Sequence, residues 1–198
     1  MTELTAHAAE EVATQQRKSL GFWVYLMTDC VLFAGLFATF AVLRGNTFGG
    51  PSGADIFDLQ FVLVETMILL TSSFTVGLAV LGAGRGYKKQ AIFWLIVTFL
   101  LGATFLGMEL WEFHHLAAEG NSWSRSGFLS SYFTLVGTHG LHIAVGLLWM
   151  SVVTVRLWTR GFKEKDIHRL SLLGLFWHFL DVVWIFIFSI VYLIGGMA

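Results

Sequence analysis

Five long apolar segments constrain this chain more than anything else in it: about Leu20–Leu43, Phe57–Gly84, Ala91–Ala118, Gly127–Val155 and Leu170–Gly196. A helix needs about 20 apolar residues, at a rise of about 1.5 Å each, to cross a bilayer, and each segment has them. None carries Lys or Arg in its interior. Backbone N–H and C=O groups in hydrocarbon must bond within their own segment, so each is read as a helix. Composition agrees, with 56% of the 198 residues hydrophobic and 13% charged, where a soluble domain carries about 25% charge. The expectation is an all-α integral membrane bundle of five transmembrane helices over 20–198, preceded by a polar tail over 1–19.

The tail holds Glu3, Glu10 and Glu11 and lacks the basic start, short apolar core and cleavage site of a signal peptide. The first span is therefore expected to serve as an uncleaved insertion signal. Ten basic residues, Arg17, Lys18, Arg85, Lys88, Lys89, Arg156, Arg160, Lys163, Lys165 and Arg169, fall on one side of this topology, against Arg44 and Arg125 on the other. The positive-inside rule then places the N-terminus in the cytoplasm and the C-terminus in the periplasm. A net charge of −1 gives no case for nucleic acid. The single Cys30 excludes an intrachain disulfide and thiolate clusters, and one proline, Pro51, leaves the helix interiors unbroken. Leu81-Gly-Ala-Gly-Arg-Gly86 follows a membrane helix rather than a strand, so it is not read as a phosphate loop. Gly140 and Ala144 form a small-xxx-small pair that permits close backbone approach. Trp23, Trp94, Trp111, Trp123, Trp158 and Trp177 lie toward span ends and suit interface belts, whereas Trp149 and Trp184 read as packing residues.

Function must lie in the ionisable groups, because each costs about 2.5–3.5 kcal/mol at the bilayer centre. They are Asp29, Glu65, Glu109, Glu112, His114, His115, His139, His142, His178 and Asp181. Counting about 1.5 Å per residue from the inner basic residues puts Asp29, His142, His178 and Asp181 near the midplane, roughly 13–21 Å up. The same count puts Glu65 and Glu109 about 30 Å up, with Glu112, His114 and His115 higher still. His139 and His142 share a helix face, as do His178 and Asp181, and His142 and Asp181 are expected to share a hydrogen-bond network. Three readings compete: haem ligation, for which i, i+3 histidines cannot be opposite ligands of one haem; proton transport, as in an independent proton-coupled carrier; and a polar lock for helix packing and lipid binding, which ranks first. No metal or catalytic residue is expected in this chain. Arg156, the basic residue of the Arg156–Arg169 cluster nearest the membrane, is a candidate for a lipid headgroup.

Several of these stretches together resemble a known family. Phe176-Trp-His-Phe-Leu-Asp-Val-Val-Trp-Ile-Phe186 is similar to the last-helix signature of subunit III of haem–copper terminal oxidases, and Gly137-Thr-His-Gly-Leu-His142 to the motif on its preceding helix. Gly107-Met-Glu-Leu-Trp-Glu-Phe-His-His115, Gly21-Phe-Trp-Val-Tyr-Leu-Met-Thr-Asp-Cys-Val-Leu-Phe33 and Phe61-Val-Leu-Val-Glu-Thr66 fit as well. Within the family, five spans rather than seven favour the cytochrome bo-type, ubiquinol-oxidising branch; some five-helix cytochrome c oxidases are the alternative. The resemblance implies a multi-pass protein of a bacterial inner membrane, in a respiratory complex that reduces oxygen to water and pumps protons. It implies haems and copper in subunit I, none in this chain, and contacts with subunits I, II and IV. It also implies phospholipid in a cleft between the first two helices here and the rest. Asp29 stands where the family often has Glu.

Overall fold

The computed structural model describes residues 2–50, 53–160 and 164–195; the side chains of 2–12, 54–55, 160 and 164–165 lie outside that description, as do Pro51, Lys163 and Gly196. The order is α1 (Thr2–Leu43), the short turn α2 (Gly53–Ile56), α3 (Leu59–Gly84), α4 (Lys88–Ala118), α5 (Gly127–Arg160) and α6 (Glu164–Ile187), which continues as a π-helical turn over Phe188–Ile194. Among the described residues there is no strand, and α1, α3, α4, α5 and α6 with its π turn are each long and apolar enough to span a membrane. The polar tail is continuous with the first span, since α1 starts at Thr2.

Each helix buries a narrow seam rather than a broad face. In α4 the buried positions are Ala91, Leu95, Thr98, Gly102, Phe105, Glu109, Glu112 and Leu116, alternating steps of four and three, the spacing of helices packed nearly parallel. In α3 the seam is led by Val62, Leu69, Val76 and Ala83, with Glu65, Thr66, Ser72 and Ser73 beside them. Leu63, Val64, Met67, Phe74 and Leu81 point outward. Polar side chains therefore face in and apolar ones out, the arrangement hydrocarbon solvent requires.

Helix α3 packs most extensively on α4; α4 packs on α5, α5 on α6, and α6 back on α3, closing a four-helix ring. Helix α1 lies outside this ring against α5 and α6, through a seam containing Leu26, Asp29, Phe33 and Phe40. Its principal contacts do not include α3. The first two spans are therefore not packed on one another as a pair.

The ring closes around Trp177. Its indole is 1% exposed and its Nε1–H donates to Ser72 Oγ at 2.9 Å. Rather than standing in an interface belt, as its position near a span end suggested, it occupies a slot between two glycines. A Cβ added at Gly102 would meet its ring at 2.7 Å, and one at Gly146 at 3.1 Å. Gly140 is not such a site, since a Cβ there would make ordinary contact with Leu106 at 3.7 Å. With both glycines against the rim of its ring and its Nε1–H on Ser72, Trp177 has little room to yield to an added methyl. Gly102→Ala is expected to lower unfolding stability in detergent by about 1–3 kcal/mol. Gly107→Ala, where a Cβ meets nothing within 4 Å, is expected to leave it unchanged; equal effects of the two would contradict the slot.

Candidate functional site

Apart from His139, His114 and His115, the ionisable side chains singled out above, with Asp166 and its arginines, fall into four places, each joining neighbouring helices. Between α1 and α5, Asp29 Oδ2 lies 3.7 Å from His142 Nε2, with side-chain exposures of 8% and 16%. His142 Nδ1 is 2.7 Å from the Thr138 carbonyl, which fixes the proton on Nδ1 and turns Nε2 toward the acid. At 3.7 Å the pair is not a direct hydrogen bond, though the gap suits a bridging water. The Tyr25 hydroxyl lies beside Asp29, one turn earlier on α1, and Phe33 packs on the His142 ring at 5.3 Å.

His139, one turn from His142, is sealed. It is 0% exposed, stacks on Trp184 at 5.2 Å and 28°, and meets Phe105 edge-on at 6.0 Å. Neither of its ring nitrogens has a hydrogen-bond partner among the described residues. Trp184 in turn donates from Nε1 to Thr66 Oγ1 at 3.1 Å, tying α6 to α3.

On the α3–α6 side, His178 Nδ1 and Ser73 Oγ are 2.7 Å apart. Asp181, on the same face of α6, lies against Ser73 and His178. His142 and Asp181 therefore have different partners, Asp29 and Ser73 respectively, in place of the pairing expected from their common depth. Depth along a helix does not fix rotation about it: His142 turns toward α1, Asp181 toward α3.

At the end of the bundle that carries the α1–α3 and α4–α5 connections, Glu65, Glu109 and Glu112 converge. One carboxylate oxygen from each lies within 4.8 Å of the other two. Antiparallel packing of α3 on α4 sets Glu65 opposite Glu109 and Glu112, which share a face at i, i+3. The π-helical turn brings in Tyr192, whose hydroxyl donates to Glu112 Oε2 at 3.4 Å and sits 3.0 Å from the Tyr132 hydroxyl. The outer histidines stay apart from this cluster: His114 is exposed, and His115 stacks on Trp111 at 5.3 Å and pairs with Glu119 at 3.3 Å.

At the opposite end, Asp166 Oδ1 receives Arg156 Nε at 3.3 Å and Arg169 Nη1 at 3.4 Å. Arg156 also lines an open groove of about 440 Å³ with Ser151, Val152, Val155 and Thr159. All five of these residues lie on α5, so the groove is an open one along that helix.

The structure brings together Glu65, Glu109 and Glu112, sets Asp29 against His142, joins His178 and Asp181 through Ser73, and leaves His139 without a polar partner among the described residues. Sequence reading missed the hydroxyl groups that complete these places: Thr66, Ser72, Ser73, Tyr132 and Tyr192. Their signal was present in the order Thr66, Ser72, Ser73 beside Glu65 within an apolar span, which marks an inward stripe.

The model of the family described as cytochrome c oxidase subunit III matches residues 1–196. The cytochrome bo(3) ubiquinol oxidase subunit 3 of Pseudomonas aeruginosa is 64% identical over 177 residues, covering 89% of this chain and 85% of that protein. The quinol oxidase subunit 3 of Bacillus subtilis is 46% identical, covering 89% and 86%. The cytochrome c oxidase subunit 3 of Bacillus sp. strain PS3 is 44% identical, covering 95% and 92%. The chain belongs to the cytochrome c oxidase subunit III family.

His139 gives a prediction about its own role. A buried imidazole with neither nitrogen bonded contributes packing only, so an apolar side chain of similar size replaces it without loss. His139→Leu is expected to leave the unfolding midpoint of the detergent-solubilised chain within about 1 kcal/mol of wild type. A loss of about 3 kcal/mol or more would reveal a partner on one of the ring nitrogens.

Proposed function

Taking membership of that family as premise, we propose that this chain is the accessory, redox-centre-free subunit III of a proton-pumping ubiquinol oxidase in a bacterial inner membrane. Its N-terminus is cytoplasmic and its C-terminus periplasmic. Quinol oxidation and the reduction of oxygen to water take place in subunit I, at haems and copper. This chain supports that subunit's stability, lipid surroundings and proton uptake, alongside subunits II and IV.

The observation that carries this reading is the family match over 1–196, together with a relative 64% identical that bears the ubiquinol oxidase name. The placing of the polar groups supports a supporting role. Asp29–His142, Ser73–His178–Asp181 and Thr66–Trp184 each join two different helices, as expected where intramembrane polar groups fix helix pairing. His139 lies between the midplane pair and the Glu65 cluster, enclosed by aromatic rings. That seal weakens the case for a carrier with a continuous relay. Phospholipid is assigned to the open groove along α5, where Arg156 stands as a cation among its lining residues.

The test is gentle purification through a tag on this chain, with mass analysis and visible spectra of what accompanies it. Co-purified partners bearing haem and copper, oxidising ubiquinol in preference to reduced cytochrome c, are the expected result. A Soret band from the isolated chain would contradict the reading, and preferential oxidation of cytochrome c would assign the electron donor of the Bacillus sp. strain PS3 relative. In the same complex, Asp29→Asn is expected to insert normally and keep full haem content, altering at most lipid retention, proton uptake or the number of turnovers before inactivation. Complete loss of oxygen reduction with assembly intact would contradict it.

A further inference from the structure

We propose that Glu65, Glu109 and Glu112 form a binding site for one calcium ion at the connection end of the bundle. Two independent observations converge on it. The first is the approach of three carboxylates from two helices, one oxygen of each within 4.8 Å of the others. The second is that the carboxylates of Glu65 and Glu109, 0% and 1% exposed, are aimed into this space, and none of their four oxygens has a hydrogen-bond partner among the described residues. Buried carboxylates ordinarily take N–H or O–H donors. Here Thr66, next in sequence to Glu65, spends its hydroxyl on Val62 O and Trp184. The tyrosine hydroxyls at the cluster, Tyr192 and Tyr132, both go to Glu112. Four orphan oxygens beside a third carboxylate leave negative charge that a bound cation would neutralise.

Chemistry and size select the ion. The donors are all oxygen, with no thiolate or imidazole among them, which favours a hard cation over zinc or copper. Three carboxylates supply up to six oxygens, the lower end of the calcium range. Magnesium demands a near-ideal octahedron and keeps several waters, whereas calcium accepts irregular carboxylate geometry at longer bonds. Three acids fixed on two helices, with one oxygen of each within 4.8 Å of the others, suit the more tolerant ion.

A further acid stands near the cluster: the exposed carboxylate of Asp58, the N-cap of α3, lies within electrostatic reach of Glu112. Added negative charge beside a low-dielectric site attracts cations toward it. Occupied, the site ties α3 to α4 through all three acids. Through Tyr192 and Tyr132 it also reaches the π turn after α6 and helix α5.

The test uses the whole assembly retained by a tag on this chain, stripped with chelator and equilibrated with radioactive calcium. Wild type is expected to hold one calcium ion more than Glu65→Gln or Glu109→Gln, whose affinity falls roughly 100-fold or more, beyond the loss from outer-shell changes. Glu119→Gln, at an exposed acid on the same connection, is expected to bind as wild type. Equal calcium content in wild type and both cluster variants would overturn the proposal and leave protons as the neutralising charge. Should the variants fail to assemble, terbium on the wild-type assembly decides. Luminescence excited through tyrosine and displaced by calcium but not by equal magnesium supports the site; absence of that luminescence, or displacement by magnesium as readily as by calcium, overturns it.

Discussion

In hydrocarbon, a polar side chain finds its partner on another helix or stays unpaired, and the bundle is arranged around that constraint. Its centre is the hydrogen bond from Trp177 to Ser72. The bond fixes α6 against α3 at one depth and one rotation, and the indole then sets the spacing of α4 and α5 through Gly102 and Gly146. A second indole bond, Trp184 to Thr66, repeats the device two turns away. Between them these bonds fix the register of α3 and α6, which is why Ser73 meets His178 and why Tyr192 reaches Glu112.

Apolar contact alone could not specify this geometry. Lipid tails solvate leucine as well as a neighbouring helix does, so association in a membrane relies on close packing and polar contacts. The seams of α3 and α4 carry both, with small residues where backbones or rings come close and hydroxyls or acids where a partner waits. The outward faces carry Leu63, Phe74, Leu100 and Leu110, which any bilayer or apolar protein surface can cover. Helix α1 joins this core by a thin seam on α5 and α6 in which Asp29, facing His142, is the polar contact. The residue where the family often carries a longer acid thus sits at the join between an outlying helix and a closed ring.

Much of this was legible in the residues. The five apolar blocks named the five helices long and apolar enough to span a membrane, because length and the absence of Lys and Arg are decisive in lipid. Counting rise along α3 and α4 set Glu65 and Glu109 at one depth with Glu112, His114 and His115 above them, but it did not part the three acids, which converge, from the two histidines, which stay outside. Rotation was not legible. In a span that is apolar all round, nothing separates the inward seam from the outward face except the polar residues themselves. His142 and Asp181 share a depth yet turn to different neighbours, and Trp177 looks like an interface residue until the glycines opposite it are placed in space. The π turn that carries Tyr192 left no mark in the pattern at all.

The central claim is that the Trp177–Ser72 bond, rather than apolar packing around it, fixes the register of α3 and α6. A double-mutant cycle with Trp177→Phe and Ser72→Ala, read by unfolding in lipid–detergent micelles, measures it directly. The account predicts a favourable coupling of about 1 kcal/mol, near the upper part of the range for intramembrane hydrogen bonds. Strictly additive losses, with no coupling between the two positions, would contradict it.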